Sequence, residues 1–179
     1  MLVILQDVPL KKELVQNLKI VADISFIMTK TVKDDLEALF QFQLDKEANY
    51  LAAFTAKDPN DKAAYIEKYS KHIADSTINM RTIKANDKII GSIAKFVMEN
   101  EAGITYWIDK QFWGRGIATA ALKDFLKLEP VRPIYGRVAF DNHRSQKVLE
   151  KCGFMKVGMD KGFANARQAE IEEFIYKLT

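Results

Sequence analysis

The sequence feature that most constrains the fold is a short loop with two glycines, Gln111–Gly116, between a strand-like run and a helical pattern. The run before it, Ile104–Ile108, is rich in β-branched and aromatic residues, which is typical of a strand. The segment after it, Gly116–Leu128, has apolar residues at helical spacing, namely Ile117, Ala121, Phe125 and Leu128. A second strand-like run follows at Ile134–Phe140. This order predicts a βαβ crossover in an α/β domain.

The rest of the chain adds strands and helices on both sides of this crossover. Turn-forming residues at Asn86-Asp87 and Asn100–Gly103 separate strand-like runs, which predicts antiparallel neighbours. Strands are predicted at Ile24–Thr29, Ile78–Ile83, Lys88–Met98, Phe154–Met159 and Ile171–Leu178. Helices are predicted from Thr31, over Asn142–Lys151, and from a cap at Asn60 or Asp61 with an inner stripe of Tyr65, Ile66, Tyr69 and Ile73. We therefore expect a mixed, mostly antiparallel sheet.

The composition argues against several classes of protein. Of the 179 residues, 48% are hydrophobic and 28% are charged, which suits one globular domain. A net charge of +3 is small for a nucleic-acid-binding protein, although it would help to attract a polyanionic cofactor. No apolar run is long enough to span a membrane. Because Cys152 is the single cysteine and no secretory segment is visible, we expect a cytoplasmic protein without disulfides.

Two segments are expected along the chain. Residues 1–23 are predicted to be an N-terminal extension that packs on or flanks the domain, with a helix at Lys11–Leu18, and residues 24–179 are predicted to form the domain itself.

His72 and His143 are far apart and do not suggest a metal site. Cys152 is interpreted as a small core residue and not as a nucleophile, because it has no nearby histidine.

The loop at Gln111–Gly116 has the properties of a phosphate-binding site. A helix start leaves backbone N–H groups unpaired, and two glycines let a pyrophosphate approach the backbone. The expected donors are the N–H groups of Trp113 to Ile117, with added charge from Arg115. The alternative is an ordinary glycine-rich turn, which the loop alone does not exclude. The loop lacks the ending of a P-loop and the third glycine of a dinucleotide fold, so its phosphate ligand belongs to another class.

The last predicted helix carries a polar residue on its inner face. Ser145 shares that face with Val148, Leu149 and Cys152, so its hydroxyl needs a partner. In one interpretation Asn142 caps the helix and Ser145 bonds to a carbonyl of the same helix. In the other, a ligand that is held by the preceding loop also contacts Ser145. His143 and Arg144 are expected on the solvated side.

Together these motifs resemble the GNAT superfamily of N-acetyltransferases. Its pyrophosphate motif is Gln/Arg-x-x-Gly-x-Gly/Ala, which Gln111, Gly114 and Gly116 match. The runs YWIDKQFWGRGIATAAL and DNHRSQKVLEKCGF are similar to the branch that includes the ribosomal-protein N-terminal acetyltransferases RimJ and RimL, as is QLDKEANYLAAFTAKDP. The resemblance covers about Ile24 to Leu178.

The resemblance implies a GNAT fold and a binding site for acetyl-CoA as co-substrate. The implied sheet is splayed in the middle, between Ile104–Ile108 and Ile134–Phe140, with helices on both faces. Pantetheine would lie in the splay, paired with the backbone near Tyr106–Ile108, and Asn142 and Ser145 would contact its arm or sulfur end. The expected cofactor-binding residues are Tyr106, Trp107, Ile108, Gln111, Trp113, Gly114, Arg115, Gly116, Ile117, Ala118, Asn142 and Ser145.

The implied reaction is direct attack of a primary amine on the acetyl thioester in a ternary complex, without a metal. Many relatives use a helix tyrosine to protonate the thiolate, but Leu149 occupies that position, so Ser145 is the remaining candidate acid. A carboxylate base is often found where Gly103 stands, so water or Glu101 is predicted to collect the proton. The expected acceptor is a low-pKa amine on a small molecule or at a protein N-terminus. The protein itself is expected to be a monomer or a homodimer. The alternative function is a non-catalytic acyl-CoA-binding regulatory module.

Overall fold

The computed structural model describes residues 19–21 and 24–179. The helix predicted at Lys11–Leu18 lies outside the described residues. The strands are β1 (Lys19–Val21), β2 (Ile24–Lys30), β3 (Asn79–Ala85), β4 (Lys88–Met98), β5 (Glu101–Ile108), β6 (Ile134–Ala139), β7 (Met155–Ala164) and β8 (Ala169–Leu178). The helices are α1 (Leu36–Gln43), α2 (Lys46–Ala52), α3 (Lys62–Ala74), α4 (Ile117–Leu128) and α5 (His143–Lys151).

The strands form one mixed sheet in the order β1-β2-β3-β4-β5-β6-β8-β7. Neighbouring strands are antiparallel except β5 and β6, which are parallel and joined through α4. The predicted fold class is therefore confirmed. Helices α4 and α5 cover one face, where Leu122, Phe125 and Leu149 pack with Ile104 and Tyr176. On the other face, α1 and α3 pack over β3 and β4.

The pairing of β5 explains why the sheet opens in its middle. Along its whole length β5 pairs with β4, but it pairs with β6 only at Ala102–Ile134 and Gly103–Tyr135. Beyond these two pairs the strands diverge, as the resemblance implied. We call the space between Ile104–Ile108 and the facing part of β6 the splay.

In the first half of the chain, two details of the prediction are corrected and one is confirmed. Helix α1 begins at Leu36, after a 3-10 turn at Lys33–Asp35, and not at Thr31. Helix α2 was not predicted, because its seven residues carry no clear apolar stripe; it is capped by Asp45, whose side chain accepts from the Ala48 N–H. The predicted cap of α3 at Asp61 and its inner stripe are confirmed.

The turn between β4 and β5 is tighter than expected. Glu99 and Asn100 have φ values of 52° and 66° and form a two-residue hairpin turn, so Gly103 lies within β5 and not in a turn. The turn predicted at Asn86-Asp87 is confirmed, with φ values of 47° and 62°. At the C-terminal end, β7 and β8 are longer than predicted and meet at a 3-10 turn, Asn165–Arg167.

Candidate active site

The glycine loop connects β5 to α4 at the open end of the splay. A 3-10 turn at Lys110–Phe112 begins it, and the Asp109 carboxylate accepts from the Gln111 N–H at 3.0 Å. Gly114 and Gly116 have φ values of 75° and 77°, which other residues rarely adopt. A Cβ added at Gly114 would meet nothing within 4 Å, so the surface there is open to a ligand.

The start of α4 presents backbone donors next to these glycines. Within the described part of the chain, nothing accepts from the N–H groups of Gly114, Arg115 and Gly116, and the first turn of α4 contains no acidic residue. The Trp113 N–H, by contrast, donates to the Lys110 carbonyl at 3.1 Å. It is therefore not a free donor, contrary to the prediction. The remaining donors and the helix dipole suit a bound anion.

Aromatic side chains hold cations beside the loop. The Arg144 guanidinium lies 5.3 Å from the ring centroid of Trp113, and Arg115 lies 5.7 Å from that of Phe112. Arg144 is exposed, as predicted, but it packs on the loop instead of extending into solvent. The two positive charges flank the N–H groups that suit an anion.

The backbone of β5 offers hydrogen-bonding groups to the splay. The Asp109 N–H bonds to Ile90 on the β4 side, so Trp107 and Thr105, which alternate with it, also direct their backbone groups toward β4. The backbone N–H and C=O groups of Tyr106 and Ile108 therefore point into the splay. The Ile108 carbonyl is occupied there by the Trp113 indole N–H, at 2.7 Å. The Tyr106 backbone and the Ile108 N–H remain for a ligand, whereas the Trp107 backbone points away.

The Ser145 hydroxyl bonds to a tyrosine of β5 and not within its own helix. Its Oγ lies 2.7 Å from the Tyr106 hydroxyl, which also lies 3.1 Å from the Ser145 carbonyl oxygen. Of the two interpretations of Ser145, the bond to a carbonyl of its own helix is therefore wrong, and contact with a ligand stays a prediction. Burial raises the pKa of Tyr106, so its hydroxyl stays protonated near neutral pH. Sequence reasoning gave Tyr106 only a backbone role; the alternation along β5, which turns its side chain toward α5, was the available signal.

Asn142 caps α5 and also connects it to α2. Its Oδ1 accepts from the Ser145 N–H at 3.1 Å, and its Nδ2 donates to the Leu51 carbonyl at 3.0 Å. The interpretation as a helix cap is confirmed. Arg167 makes a second connection, because it pairs with both carboxylate oxygens of Asp141 and donates to the Tyr50 carbonyl at 2.9 Å. Helix α2 is thus fixed against the start of α5, beside the splay.

The two positions where relatives often carry catalytic groups are filled by packing. Leu149 is 2% exposed, and its methyl group would lie 2.9 Å from a Cβ added at Gly136. Gly103 lies against the Phe96 ring, which would lie 2.5 Å from a Cβ added there. Neither position offers a hydroxyl or a carboxylate to the splay.

The structure does not bring Glu101 and Ser145 together. Glu101 is exposed in the β4–β5 hairpin, opposite Met98, where β5 still pairs with its neighbours. Tyr106, the partner of Ser145, lies five residues further along β5, or about 16 Å at strand spacing. Of the two predicted proton acceptors, water and Glu101, this distance favours water, and the assignment stays a prediction.

The surroundings of Cys152 are those of a core residue. The Cys152 Sγ lies 3.5 Å from the Thr119 carbonyl oxygen, and burial raises the pKa of the thiol, which fits a core residue. No group of three or more potential metal ligands is found among the described residues. Nor does any described helix have the length and apolarity to cross a membrane.

Comparison with known proteins agrees with this geometry. The chain matches the acetyltransferase (GNAT) domain family over residues 26–155, and it belongs to that family. No curated protein gives a sequence match.

Solved structures share the fold at low sequence identity. The microcin C7 self-immunity acetyltransferase MccE, solved with acetyl-CoA and AMP, has 18% identity and a TM-score of 0.71, over 87% of this chain and 92% of its own. RimL, a ribosomal L7/L12 alpha-N-protein acetyltransferase solved with coenzyme A, has 18% identity and a TM-score of 0.70, over 86% and 93%. A chimera of spermidine N-acetyltransferase SpeG from Vibrio cholerae and hSSAT has 19% identity and a TM-score of 0.68, over 84% and 93%.

Proposed function

We propose that this protein is an N-acetyltransferase that transfers the acetyl group of acetyl-CoA directly to a primary amine in a ternary complex. The observation that carries the proposal is the position of the splay, whose open end meets the unpaired N–H groups of Gly114 and Gly116. A ligand with a pyrophosphate at one end and an extended arm fits both features. MccE and RimL, which share the fold, were solved with acetyl-CoA and coenzyme A.

Different parts of the site would bind the pyrophosphate, the arm and the sulfur end of acetyl-CoA. The N–H groups from Gly114 to Ile117 would hold the pyrophosphate, and Arg115 and Arg144 would add positive charge. The free edge of β5 at Tyr106 would pair with the amide groups of the arm. When bound, acetyl-CoA supplies the acetyl thioester. Its sulfur would lie in the splay, where Ser145 would offer a hydroxyl; that hydroxyl lies 2.7 Å from the Tyr106 hydroxyl of β5.

The acceptor is inferred to be an amine with a low pKa, such as the α-amine of a protein N-terminus or of an amino-acid-like molecule. An amine attacks only in its neutral form, and the Phe96 ring leaves no room for a carboxylate at Gly103. RimL is described as acting on a protein α-amine and SpeG on spermidine, so the fold accommodates both kinds of amine. The lack of room for a carboxylate at residue 103 favours the first kind.

Binding of the cofactor can be tested by replacing Gly114 or Gly116 with Glu. The new side chain would strain a positive-φ position and bring a negative charge to the anion site. Gly153→Glu is the matched control, because Gly153 has a φ of 88° at the end of α5. We expect calorimetry to detect no acetyl-CoA binding by the first two variants and normal binding by the control. Normal binding by all three would contradict the assignment of the loop.

A second candidate function is a regulatory module that binds acyl-CoA without catalysis. The burial of Leu149 and the ring over Gly103 favour it, because both familiar catalytic positions are apolar. An assay for free thiol with a broad panel of amines separates the two functions. Acetyl-CoA binding with thiol release that depends on one class of amine supports the enzyme, and binding without release under any amine supports the module.

A further inference from the structure

We propose that Tyr106 is a positioning residue that holds the Ser145 hydroxyl at the splay as a hydrogen-bond donor to the sulfur of the leaving thiolate. The inference rests on the proposed function. It concerns the side chain of Tyr106 on β5, which the sequence did not predict as a hydrogen-bond partner of Ser145. The carrying observation is the contact of Tyr106 with two oxygens of Ser145, at 2.7 and 3.1 Å.

The contact keeps the Ser145 hydroxyl away from its own helix. A serine inside a helix commonly donates to the carbonyl three or four residues earlier, which would turn its O–H away from a ligand. In α5 the Asn142 side chain already accepts from the Ser145 N–H, and the Ser145 hydroxyl points to β5 instead. Since β5 has no β6 partner at Tyr106, this pair of hydroxyls lies beside the splay.

The two contacts of Tyr106 allow its proton to change acceptor. Before the thioester is present, the Tyr106 O–H can donate to the Ser145 carbonyl, which leaves the Ser145 O–H to donate to the Tyr106 oxygen. When the Ser145 O–H turns to a thiolate, the Tyr106 O–H turns to the Ser145 Oγ. Each buried hydroxyl keeps a partner in both arrangements, so the change leaves no unsatisfied polar group.

The bonds that change in the reaction are those of the acetyl carbon and one N–H bond of the attacking amine. The amine nitrogen forms a C–N bond to the acetyl carbon, the C–S bond breaks, and its electron pair goes to sulfur. The proton of the amine goes to water, and water later protonates the thiolate. Burial raises the pKa of Tyr106, which disfavours a tyrosinate. Tyr106 therefore keeps its proton throughout, and both hydroxyls act by hydrogen bonding.

The arrangement accounts for the apolar residue at 149. Leu149 packs against Gly136 in the core under the sheet, so residue 149 offers no hydroxyl to the splay. A hydroxyl supplied from β5 reaches the same helix one turn earlier, at Ser145. The sulfur-side donor thus consists of one residue from each of the two elements that border the splay.

The experiment measures the pKa of the coenzyme A thiol bound to the protein, from the ultraviolet absorbance of the thiolate as pH is raised. The variants are Tyr106→Phe, Ser145→Ala and the double variant. Tyr176→Phe is the matched control, because the Tyr176 hydroxyl is also buried under the sheet and bonds to Glu150 of the same helix at 3.0 Å. Stability of each variant is measured by urea unfolding.

We expect Tyr106→Phe and Ser145→Ala each to raise the pKa of the bound thiol by about 1, as loss of a hydrogen bond to a charged group predicts. The double variant should show no larger change than either single variant, and kcat should fall by about tenfold in all three. Tyr176→Phe should change stability alone. Ser145→Thr, which retains a hydroxyl, should restore part of the effect of Ser145→Ala.

Two different failures can be told apart. If the wild-type protein binds no coenzyme A, the proposed function fails and the inference falls with it. If coenzyme A binds but Tyr106→Phe leaves the thiol pKa and kcat unchanged, Tyr106 has only a structural role and the inference alone is overturned. Additive effects in the double variant would also overturn it, because Tyr106 would then act independently of Ser145.

Discussion

The ring of Phe96 on β4 lies against Gly103 on β5, its register partner, so closely that a Cβ at residue 103 would come within 2.5 Å of it. An aromatic ring commonly covers a cross-strand glycine in this way, because the missing side chain leaves a space of suitable size. The contact lies at the closed end of the splay. Because the Phe96 ring fills the space beside residue 103, this packing explains why no carboxylate stands at the position where relatives often carry a base.

This contact predicts that Gly103→Ala destabilises the protein by about 1–3 kcal/mol, the usual cost of overpacking. In a Phe96→Ala background the same substitution should cost much less, because the obstructing ring is gone. Gly158→Ala is the control, since a Cβ there would lie at an ordinary 3.8 Å from Ile175. The free energy of unfolding in urea gives all four values. Equal costs of Gly103→Ala in both backgrounds would show that the ring is not the obstacle.

The predictable parts of the fold were those with strong local patterns. Helix α4 and the loop before it were predicted because apolar periodicity and glycine act within a few residues. Gly103 was wrongly assigned to a turn, because the glycine is required by the Phe96 ring on the neighbouring strand and not by the local backbone. Helix α2 was missed because its seven residues carry no clear apolar stripe, and its place in the fold depends on distant hydrogen bonds such as Asn142 to Leu51.

The site followed the same division. The phosphate loop is a local motif, and its glycines could be identified from their spacing. Tyr106 and Ser145 are 39 residues apart, and only the packing of α5 against β5 brings their hydroxyl oxygens to 2.7 Å from each other. Arg144 was expected to be solvated, and its packing on Trp113 depends on how α5 lies beside the loop. A motif read along the chain contains no information on such pairings.

Acid should weaken the attachment of α1 to the sheet through Asp35. This carboxylate is buried and accepts hydrogen bonds from Thr82 at 2.8 Å and the Val32 N–H at 3.1 Å, and it pairs with Lys84 at 3.0 Å. Burial alone would raise the pKa of Asp35, but the bonds from Lys84, Val32 and Thr82 outweigh it and lower the pKa below its ordinary value.

A lowered pKa means that Asp35 contributes stability above its unfolded pKa of about 3.9, and that this contribution is lost as pH falls through the folded pKa. Asp35→Asn should therefore reduce the free energy of unfolding by about 1–3 kcal/mol at pH 7, with a difference that shrinks below pH ~4. Asp34→Asn, at the exposed neighbour, should have little effect. A difference that persists unchanged in acid would show that the charge of Asp35 is not responsible.

Arg144 should strengthen the binding of acetyl-CoA through its charge. Its guanidinium is held on the Trp113 ring beside the free N–H groups of the loop. Arg144→Ala should raise the Kd about threefold to tenfold at low salt, and the difference should shrink in high salt as the charge is screened. Lys147→Ala, which removes an exposed cation from the same helix, is the control. An equal loss in both variants would mean that only the net charge of the protein matters.

The acceptor should be an amine that is substantially neutral at physiological pH. At pH 7.5 a lysine-type amine with a pKa of about 10.4 is roughly 0.1% neutral, whereas an α-amine with a pKa of about 7.7–8.0 is roughly a quarter or more neutral. The first needs a base to remove its proton, and the second needs little help. Phe96 excludes a carboxylate at residue 103, and Glu101 lies outside the splay in the hairpin. We therefore expect α-amines to be the better acceptors.

The pH profile of kcat/KM with the best acceptor tests this expectation. The profile should rise with pH and level off near the pKa of the free acceptor, and it should be the same in Glu99→Gln and Glu101→Gln variants. Tyr106 and Ser145 should affect the height of the plateau and not its midpoint, since they act on the sulfur. A preferred alkyl amine, with a midpoint well below pH 8 that disappears in one of the glutamate variants, would contradict the prediction. That result would identify the lost carboxylate as a dedicated base, and it would require the β4–β5 hairpin to approach the splay when both substrates are bound.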